Sequence, residues 1–187
     1  MKPIKELLKR AVGQSGSLSP KHRKDDWDGI PELMKGTITG DMFLQRNGIT
    51  KIEDVLKEGL TAAYDQKDAA STEKIIYLIF KFEVFDNKDY VDVLNRLLLA
   101  DWHYQHENIT LLLEKISCFD SVRYLYDAIL CHPDYLSEDE NCAFEVKCVR
   151  AIYYIGKEKS VTYLENLSTH ENDIVREMAQ RQLKKLQ

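Results

Sequence analysis

The densest group of side chains able to do chemistry lies in the segment ADWHYQHENI, residues 100–109. His103, His106 and Glu107 are three and four residues apart or adjacent, so on a helix they share one face. Imidazole and carboxylate are ligands that suit iron or zinc. A second pair, His170 and Glu171, precedes the last predicted helix. One hypothesis is therefore a metal site made by these five residues; the other is that both His-Glu pairs are polar helix starts, favoured by the positive end of the helix dipole.

The same segment contains two large aromatic side chains, Trp102 and Tyr104. Aromatic rings beside mixed polar groups are typical of the residues that dominate binding at a protein interface. The alternative is that Trp102 packs at a corner between two helices, where Asp101 or Asn108 caps a helix. The residue types alone leave both uses open.

Nucleophilic and phosphate chemistry find no support in the sequence. Cys118, Cys131, Cys142 and Cys148 form no CxxC pair and lack an adjacent activating pattern. The chain has no GxSxG motif, and its glycine-bearing segments lack the Lys-Ser/Thr ending of a phosphate-binding loop. We therefore predict no catalytic residues and no cofactor, and we interpret the cysteines as small buried thiols of a reducing compartment.

The charge balance favours some ligands over others. The chain has 31 acidic and 26 basic residues, a net charge of -5 and a pI near 5.6. Such a surface repels phosphate backbones on average, so nucleic acid is not expected as the direct ligand, whereas a basic protein is. No run of 18 apolar residues is present, and the N-terminus lacks the apolar core of a signal peptide. The prediction is a cytoplasmic protein that binds a protein and no membrane; the sequence does not determine its oligomeric state, and a monomer is favoured.

The elements that position these residues follow from hydrophobic periodicity. Six of the eight glycines and three of the four prolines precede residue 49, which predicts a first region, 1–48, that is an irregular capping segment with a short amphipathic helix at 3–12. A turn-rich connection follows at 13–20, and short helical turns are predicted near 31–35 and 40–46. From residue 49 to 187, apolar residues recur at helical spacing. The predicted helices are 52–66, 72–84, 89–100, 106–117, 121–131, 143–156, 159–168 and 173–186. The predicted N-caps are Ser71 or Thr72, Asp120 or Ser121, and Asn172 or Asp173.

One helical hairpin is repeated along the chain. A shift of 39 residues superposes eight positions of the second hairpin on the third. A shift of 37 residues relates Ile75, Ile76 and Ile79 to Leu112, Leu113 and Ile116, and a shift of 27 residues relates Cys148 to Val175. Repeats of 20 to 50 residues are typical of solenoids, whose units bury their apolar faces by stacking. The sequence therefore predicts an all-α stack of four hairpins. The matched positions are Ile109, Leu112, Leu113, Ile116, Ser117, Ser121, Val122 and Leu125 with Cys148, Ala151, Ile152, Ile155, Gly156, Ser160, Val161 and Leu164.

The run AIYYIGKEKSVTYLENLSTHENDIVREMAQRQL, which begins at Ala151, resembles a boundary between two HEAT repeats. Ala151 and Gly156 close one inner helix, and Asp173, Val175 and Arg176 begin the next. The resemblance implies a short right-handed α-solenoid of the HEAT/ARM-like type, whose concave face binds partners and which carries no reaction of its own. The segment ADWHYQHENI further resembles bacterial toxin-immunity proteins of the contact-dependent inhibition type. That resemblance implies a protein that neutralises a basic, nuclease-type toxin by occluding its active site.

Three other functions remain open at this stage. Paired His-Glu motifs on HEAT helices also resemble deoxyhypusine hydroxylase, a di-iron enzyme, but that family uses four such pairs and this chain has two. DNA glycosylases built from HEAT-like repeats are another relative, which the acidic balance disfavours. The third is a general protein-protein interaction scaffold.

The repeat also predicts where a partner binds. The shifts of 37 and 39 residues place Tyr77, Glu114 and Tyr153 at equivalent points of successive inner helices. Tyrosine rings beside carboxylates suit recognition of a basic protein surface, while the alternative is a solvated helix face. The predicted partner-binding residues are Tyr77, Trp102, His103, His106, Glu107, Glu114 and Tyr153.

Overall fold

The computed structural model describes residues 27–136 and 139–186, and these residues form α-helices, two short 3-10 turns and no strand. The predicted all-α class is confirmed. The predicted helix at 3–12 and connection at 13–20 lie outside the described residues. The helices are α1 (Ile30–Met34), α2 (Gly40–Arg46), α3 (Ile52–Gln66), α4 (Ala69–Lys81), α5 (Val91–Leu98), α6 (His106–Ile116), α7 (Ser121–Cys131), α8 (Ala143–Gly156), α9 (Val161–Leu167) and α10 (Asp173–Leu183), and the 3-10 turns are Asp134–Leu136 and Lys157–Ser160.

The start of α4 differs from its prediction by three residues. The carboxylate of Asp68 accepts hydrogen bonds from the backbone N–H of Ala70 at 3.0 Å and of Ser71 at 3.1 Å. Because these bonds satisfy amides that have no partner inside the helix, Asp68 is the N-cap. The prediction of Ser71 or Thr72 as the cap was wrong, since both are buried inside the first turn of the helix.

Two other predicted caps have different outcomes. Asn172 accepts from the amides of Ile174 and Val175 at 2.9 and 3.3 Å, so it caps α10 as predicted. Helix α7 begins at Ser121 as expected, but no side chain caps it. The Ser121 hydroxyl is instead buried, with no hydrogen-bond partner in the described part of the chain.

The helices pack in antiparallel pairs that also contact one another in sequence. The pairs are α3 with α4, α5 with α6, α7 with α8, and α9 with α10. Helix α6 lies between α4 and α8, and α8 lies between α6 and α10, so the even-numbered helices from α4 onward form a row. In the other row α5 lies between α3 and α7, while α9 packs mainly on α8 and α10.

The repeated apolar positions form the core. Ile75, Leu112, Ile152 and Ala179, which come from four successive even-numbered helices, are each fully buried. Complete burial of an aliphatic side chain of this size contributes roughly 1.5–3 kcal/mol. Each even-numbered helix therefore needs its neighbours to cover its apolar stripe. No helix in the described ranges is both long and apolar enough to cross a membrane.

The described residues before Ile49 pack against the first helix pair. Ile30, Leu33 and Phe43 are buried in the common core, and the ring of Phe43 lies 6.1 Å from that of Phe82. Gly59 lets Trp27 and Ile75 pack closely against α3, because a Cβ atom at this position would lie 3.4 Å from the Trp27 ring and 3.0 Å from Ile75. The boundary at residue 48 stays a prediction.

Candidate protein-interaction site

Three loops that join the paired helices lie side by side at one edge of the molecule, here named the tip edge. They are residues 99–105, 132–142 without the undescribed 137–138, and 168–172. The hydroxyl of Tyr135 is 3.1 Å from Nδ1 of His106, and Asn172 donates to the sulfur of Cys142 at 3.2 Å, so each loop contacts the next. The three loop sequences contain no lysine or arginine. Their described acidic residues are Asp101, Asp134, Asp139, Glu140 and Glu171.

An exposed pair of tyrosines lies on the tip edge. Tyr104 is 73% and Tyr135 38% exposed, and their rings meet edge to face with centroids 5.0 Å apart. The two residues belong to different loops, so the pair depends on the packing of α6 against α8. Exposed aromatic rings held by a rigid support bind partners with little loss of conformational entropy.

Two buried histidines support this pair from below. His103 and His106 are each 1% exposed, and their rings stack with centroids 4.4 Å apart. Nε2 of His103 is 2.8 Å from the carbonyl oxygen of Leu97, and Nε2 of His106 is 2.7 Å from that of Ala100. A carbonyl oxygen only accepts, so both Nε2 atoms carry the proton. Nδ1 of His106 is then the acceptor for the Tyr135 hydroxyl.

Burial keeps both imidazoles neutral. Removal from water, helped by the neighbouring His103, lowers the pKa of His106 to about 4, against the opposing effect of the Ala100 carbonyl. Burial also lowers the pKa of His103. His103 and His106 were predicted to contact a partner, but at 1% exposure neither ring is accessible to one in this conformation. The contact of His106 with Tyr135 positions that tyrosine, and His103 stacks on His106 behind it.

Between the second and third loops the tip edge has a pocket of about 470 Å³. Carboxylates of Asp139, Glu140 and Glu171 lie around it together with the buried Glu145, which is hydrogen-bonded to His132. Asp139 also caps α8, since its carboxylate accepts from the amide of Ala143 at 2.8 Å. Ile129, Leu130 and Val175 form the apolar part of the wall. A concave site with apolar walls and carboxylates at its mouth suits a long cationic side chain.

Trp102 belongs to the first loop of the tip edge, residues 99–105, and is half-buried. Its ring is 5.0 Å from that of His103 and 6.3 Å from that of Tyr64, and it packs against the core. These contacts are those expected of the corner-packing alternative. The exposed aromatic residue of the segment is its neighbour Tyr104.

The remaining predicted residues lie on the row of even-numbered helices, on a surface here named the even-helix face. Glu107 on α6 pairs with Lys147 on α8 at 3.0 Å, and Glu114 pairs with Arg150 at 3.7 Å. Both carboxylates thus already have cationic partners within the chain. Tyr153 on α8 lies under Lys185, whose Nζ is 5.2 Å from the ring centroid.

Tyr77 lies at the other end of this face, in a groove of about 680 Å³ between α1, α4 and the start of α6. Trp27, Met34 and Phe80 also line the groove, and Met34 is 60% exposed. Burial raises the pKa of the Tyr77 phenol, so the ring presents a neutral hydroxyl. The structure thus separates the predicted residues into two surfaces, with Trp102, His103 and His106 behind the tip edge and the other four on the even-helix face.

The metal hypothesis receives no geometric support. Among the described residues no three His, Cys, Asp or Glu side chains lie close enough to hold a metal ion together. This includes His103, His106, Glu107, His170 and Glu171, all of which are described. Nε2 of His103 and Nε2 of His106 are each already hydrogen-bonded to a backbone carbonyl.

The four cysteines are free thiols. Cys148 is fully buried, and burial raises the pKa of its thiol, despite the opposing hydrogen bond with Thr110. Burial likewise raises the pKa of the Cys142 thiol. A raised pKa disfavours the thiolate that a nucleophile requires.

Tyr135, Leu130 and the pocket carboxylates were absent from the predicted partner-binding set. A usable signal was present in the sequence, because the three loops of the tip edge carry acidic residues and no lysine or arginine, whereas the loop of the first pair, α3 and α4, contains Lys67. The pairing of Tyr135 with His106 joins residues that are 29 positions apart, and periodicity alone does not predict such a contact.

No family model, no curated protein and no solved structure matches this chain.

Proposed function

We propose that this chain is a non-catalytic binding protein whose ligand is a protein of positive net charge. We propose further that its helix pairs form a short right-handed α-solenoid of the HEAT/ARM-like type. The order of contacts supports this arrangement, because α6 packs on α4 and α8, and α8 packs on α6 and α10. Stacking of this kind leaves the loops of successive pairs in a row, where they offer one continuous binding surface.

The observation that carries the proposal is the composition of the tip edge. An exposed aromatic pair, Tyr104 and Tyr135, lies beside a pocket with carboxylates of Asp139, Glu140 and Glu171, and the three loops contain no lysine or arginine. Two histidines, His132 and His170, also line the pocket. Aromatic anchors with a charged surround are typical of protein interfaces. Carboxylates beside a pocket are complementary to lysine and arginine side chains, and they accelerate association with a basic partner.

Neutralisation of a toxin by occlusion of its active site is the specific form of this proposal. It rests on the resemblance of the segment 100–109 to toxin-immunity proteins, and that segment supplies Tyr104 and the supporting His106 to the tip edge. A nuclease that binds phosphate backbones has a basic active-site surface, and an acidic, aromatic edge is complementary to such a surface.

Affinity capture with matched charge reversals tests the proposal. The full-length chain serves as bait in extract of the source organism, beside Glu140→Lys/Glu171→Lys and the control Glu83→Lys/Glu158→Lys. All four glutamates are exposed, and both variants change the net charge equally, but the control pair lies in connections at the opposite ends of the helices. We expect the wild type and the control to retain a basic protein that the tip-edge variant loses.

The salt dependence completes this test. Retention should weaken as the salt concentration rises, since screening acts on the charged contacts. Capture of no basic protein, or equal capture by both double variants, contradicts the proposed function.

A further inference from the structure

We propose that the even-helix face binds an acidic segment of a partner protein, with apolar residues of that segment in the groove beside Tyr77. This surface adjoins the tip edge at Gln105, which lines the groove and belongs to the loop 99–105, but unlike the tip-edge loops it carries lysine and arginine side chains. The inference does not depend on the proposed basic ligand.

The first observation is a surplus of basic side chains at the α8 and α10 end of the face. Lys147 and Arg150 are offset by Glu107 and Glu114, but Lys185 lies over the ring of Tyr153, and no ion pair is found for it among the described residues. Arg181 is exposed and likewise has no ion pair within the described ranges; the exposed Glu177 precedes it by four positions on the same helix. Arg181 precedes Lys185 by four positions, which places the two on the same side of the helix end.

The groove at the α4 end has a different character. Trp27, Met34, Tyr77 and Phe80 supply apolar surface there, and a single glutamate, Glu73, is offset by Lys74. A contiguous apolar groove on an exposed surface marks a binding site more often than an isolated apolar residue does.

The length of the face fits a short peptide. Three steps separate α4 from α10 along the row, and adjacent helices lie about 9 Å apart, so the path is roughly 27 Å. An extended chain covers that distance with about eight or nine residues. One segment can therefore place apolar residues in the groove and acidic residues at Arg181 and Lys185.

The carboxylates on this path favour a polypeptide over a nucleic acid. Glu107 and Glu114 lie between the groove and the basic end, where they repel a phosphate backbone. Oε2 of Glu114 is buried and has no hydrogen-bond partner in the described part of the chain. Such an acceptor is costly to leave unpaired, and a peptide backbone supplies N–H donors that a phosphodiester lacks.

Fluorescence anisotropy with synthetic peptides tests the inference. The probes are labelled peptides of about twelve residues, long enough to cover the path, with Leu and Phe in one half and Glu in the other, made in both orders. The proteins are the full-length wild type, Arg181→Glu/Lys185→Glu and the control Arg123→Glu/Lys88→Glu, whose exposed residues lie on α7 and before α5. We expect one order to bind the wild type and the control, with at least a tenfold loss of affinity in the even-helix variant. Met34→Ser should also weaken binding, since it removes apolar surface from the groove without changing the charge.

Several results would overturn the inference. They are absence of binding by both peptide orders, equal binding of peptides with Lys in place of Glu, and equal loss in the two double variants. Tighter binding of a thymidine oligonucleotide than of either acidic peptide would assign the face to nucleic acid instead. Concentration-dependent dimerisation that Arg181→Glu/Lys185→Glu abolishes would assign it to a second copy of the chain. The peptide measurements are independent of the tip-edge capture, so either proposal can fail alone.

Discussion

The tip edge and the even-helix face differ in the sign of their charge, although they belong to the same helices. The loops of the tip edge contain acidic residues and no lysine or arginine, whereas Arg150, Arg181 and Lys185 lie on the even-helix face. The net charge of -5 for the whole chain agrees in sign with the tip edge and not with the even-helix face. Net charge is therefore a poor guide to the ligand when a fold sorts the charges onto separate surfaces.

The two surfaces are also held in different ways. At the tip edge the Tyr135 hydroxyl donates a hydrogen bond to the neutral, buried imidazole of His106, and on the even-helix face half-exposed ion pairs join α6 to α8. Buried groups respond to pH through their shifted pKa values, while exposed ion pairs respond mainly to salt. Varying the pH alone therefore tests the tip edge, and varying the salt concentration alone tests the even-helix face.

Acidification should produce the largest effect, and it acts on the tip edge. The pKa of His106 is about 4 in the folded chain and about 6.5 in an unfolded one, so the unfolded state binds more protons below pH 6.5. Stability is therefore present above pH 6.5 and falls as the pH falls toward 4. At pH 4.5 the loss from His106 alone is about 2.5 kcal/mol, and His103 adds to it. Urea unfolding at a series of pH values measures the slope; a flat free energy of unfolding between pH 6.5 and 5 would contradict the assignment of neutral buried imidazoles.

Removal of one hydroxyl should have an intermediate effect. Tyr135→Phe deletes the donor to Nδ1 of His106 and leaves a buried acceptor unpaired, which costs about 1 kcal/mol. Tyr104→Phe is the matched control, because no hydrogen bond of the Tyr104 hydroxyl is found in the described part of the chain. Thermal unfolding of both variants separates them, and equal stabilities would show that the hydrogen bond contributes nothing.

Removal of an ion pair from the even-helix face should have the smallest effect on the free energy of unfolding. Glu107→Gln removes the pairing with Lys147, whose side chains are 38% and 30% exposed. Exposed pairs of this kind contribute about 0.2–1 kcal/mol, and 0.5 M salt should abolish the difference from wild type. A loss that persists in high salt would mean that Glu107 acts through packing rather than through its charge.

The sequence predicted the helices better than it predicted the site. Helices α3, α7 and α8 have the predicted bounds, because each carries an unbroken apolar stripe whose partner is the next stripe. The predicted N-cap of α4 was wrong, because Ser71 and Asp68 are both good capping residues and the choice between them depends on where the chain turns.

The histidines show why the site was harder. His103 and His106 are polar and were expected to face a partner, yet both are buried with satisfied hydrogen bonds. A polar residue is stable in a core when its bonds are complete, and a carbonyl acceptor six positions earlier in the chain is not identifiable from residue type. Tyr104, which was noted in the same segment but left out of the predicted set, is the residue that the fold exposes.

Amide hydrogen exchange of the captured complex tests the central claim most directly. Binding of the basic partner should slow exchange in the loops 99–105, 132–142 and 168–172 relative to the free chain, and leave α3 and the connections at the opposite ends of the helices unchanged. Protection confined to α3, α5 and α7, with the tip-edge loops exchanging as in the free chain, would contradict the account.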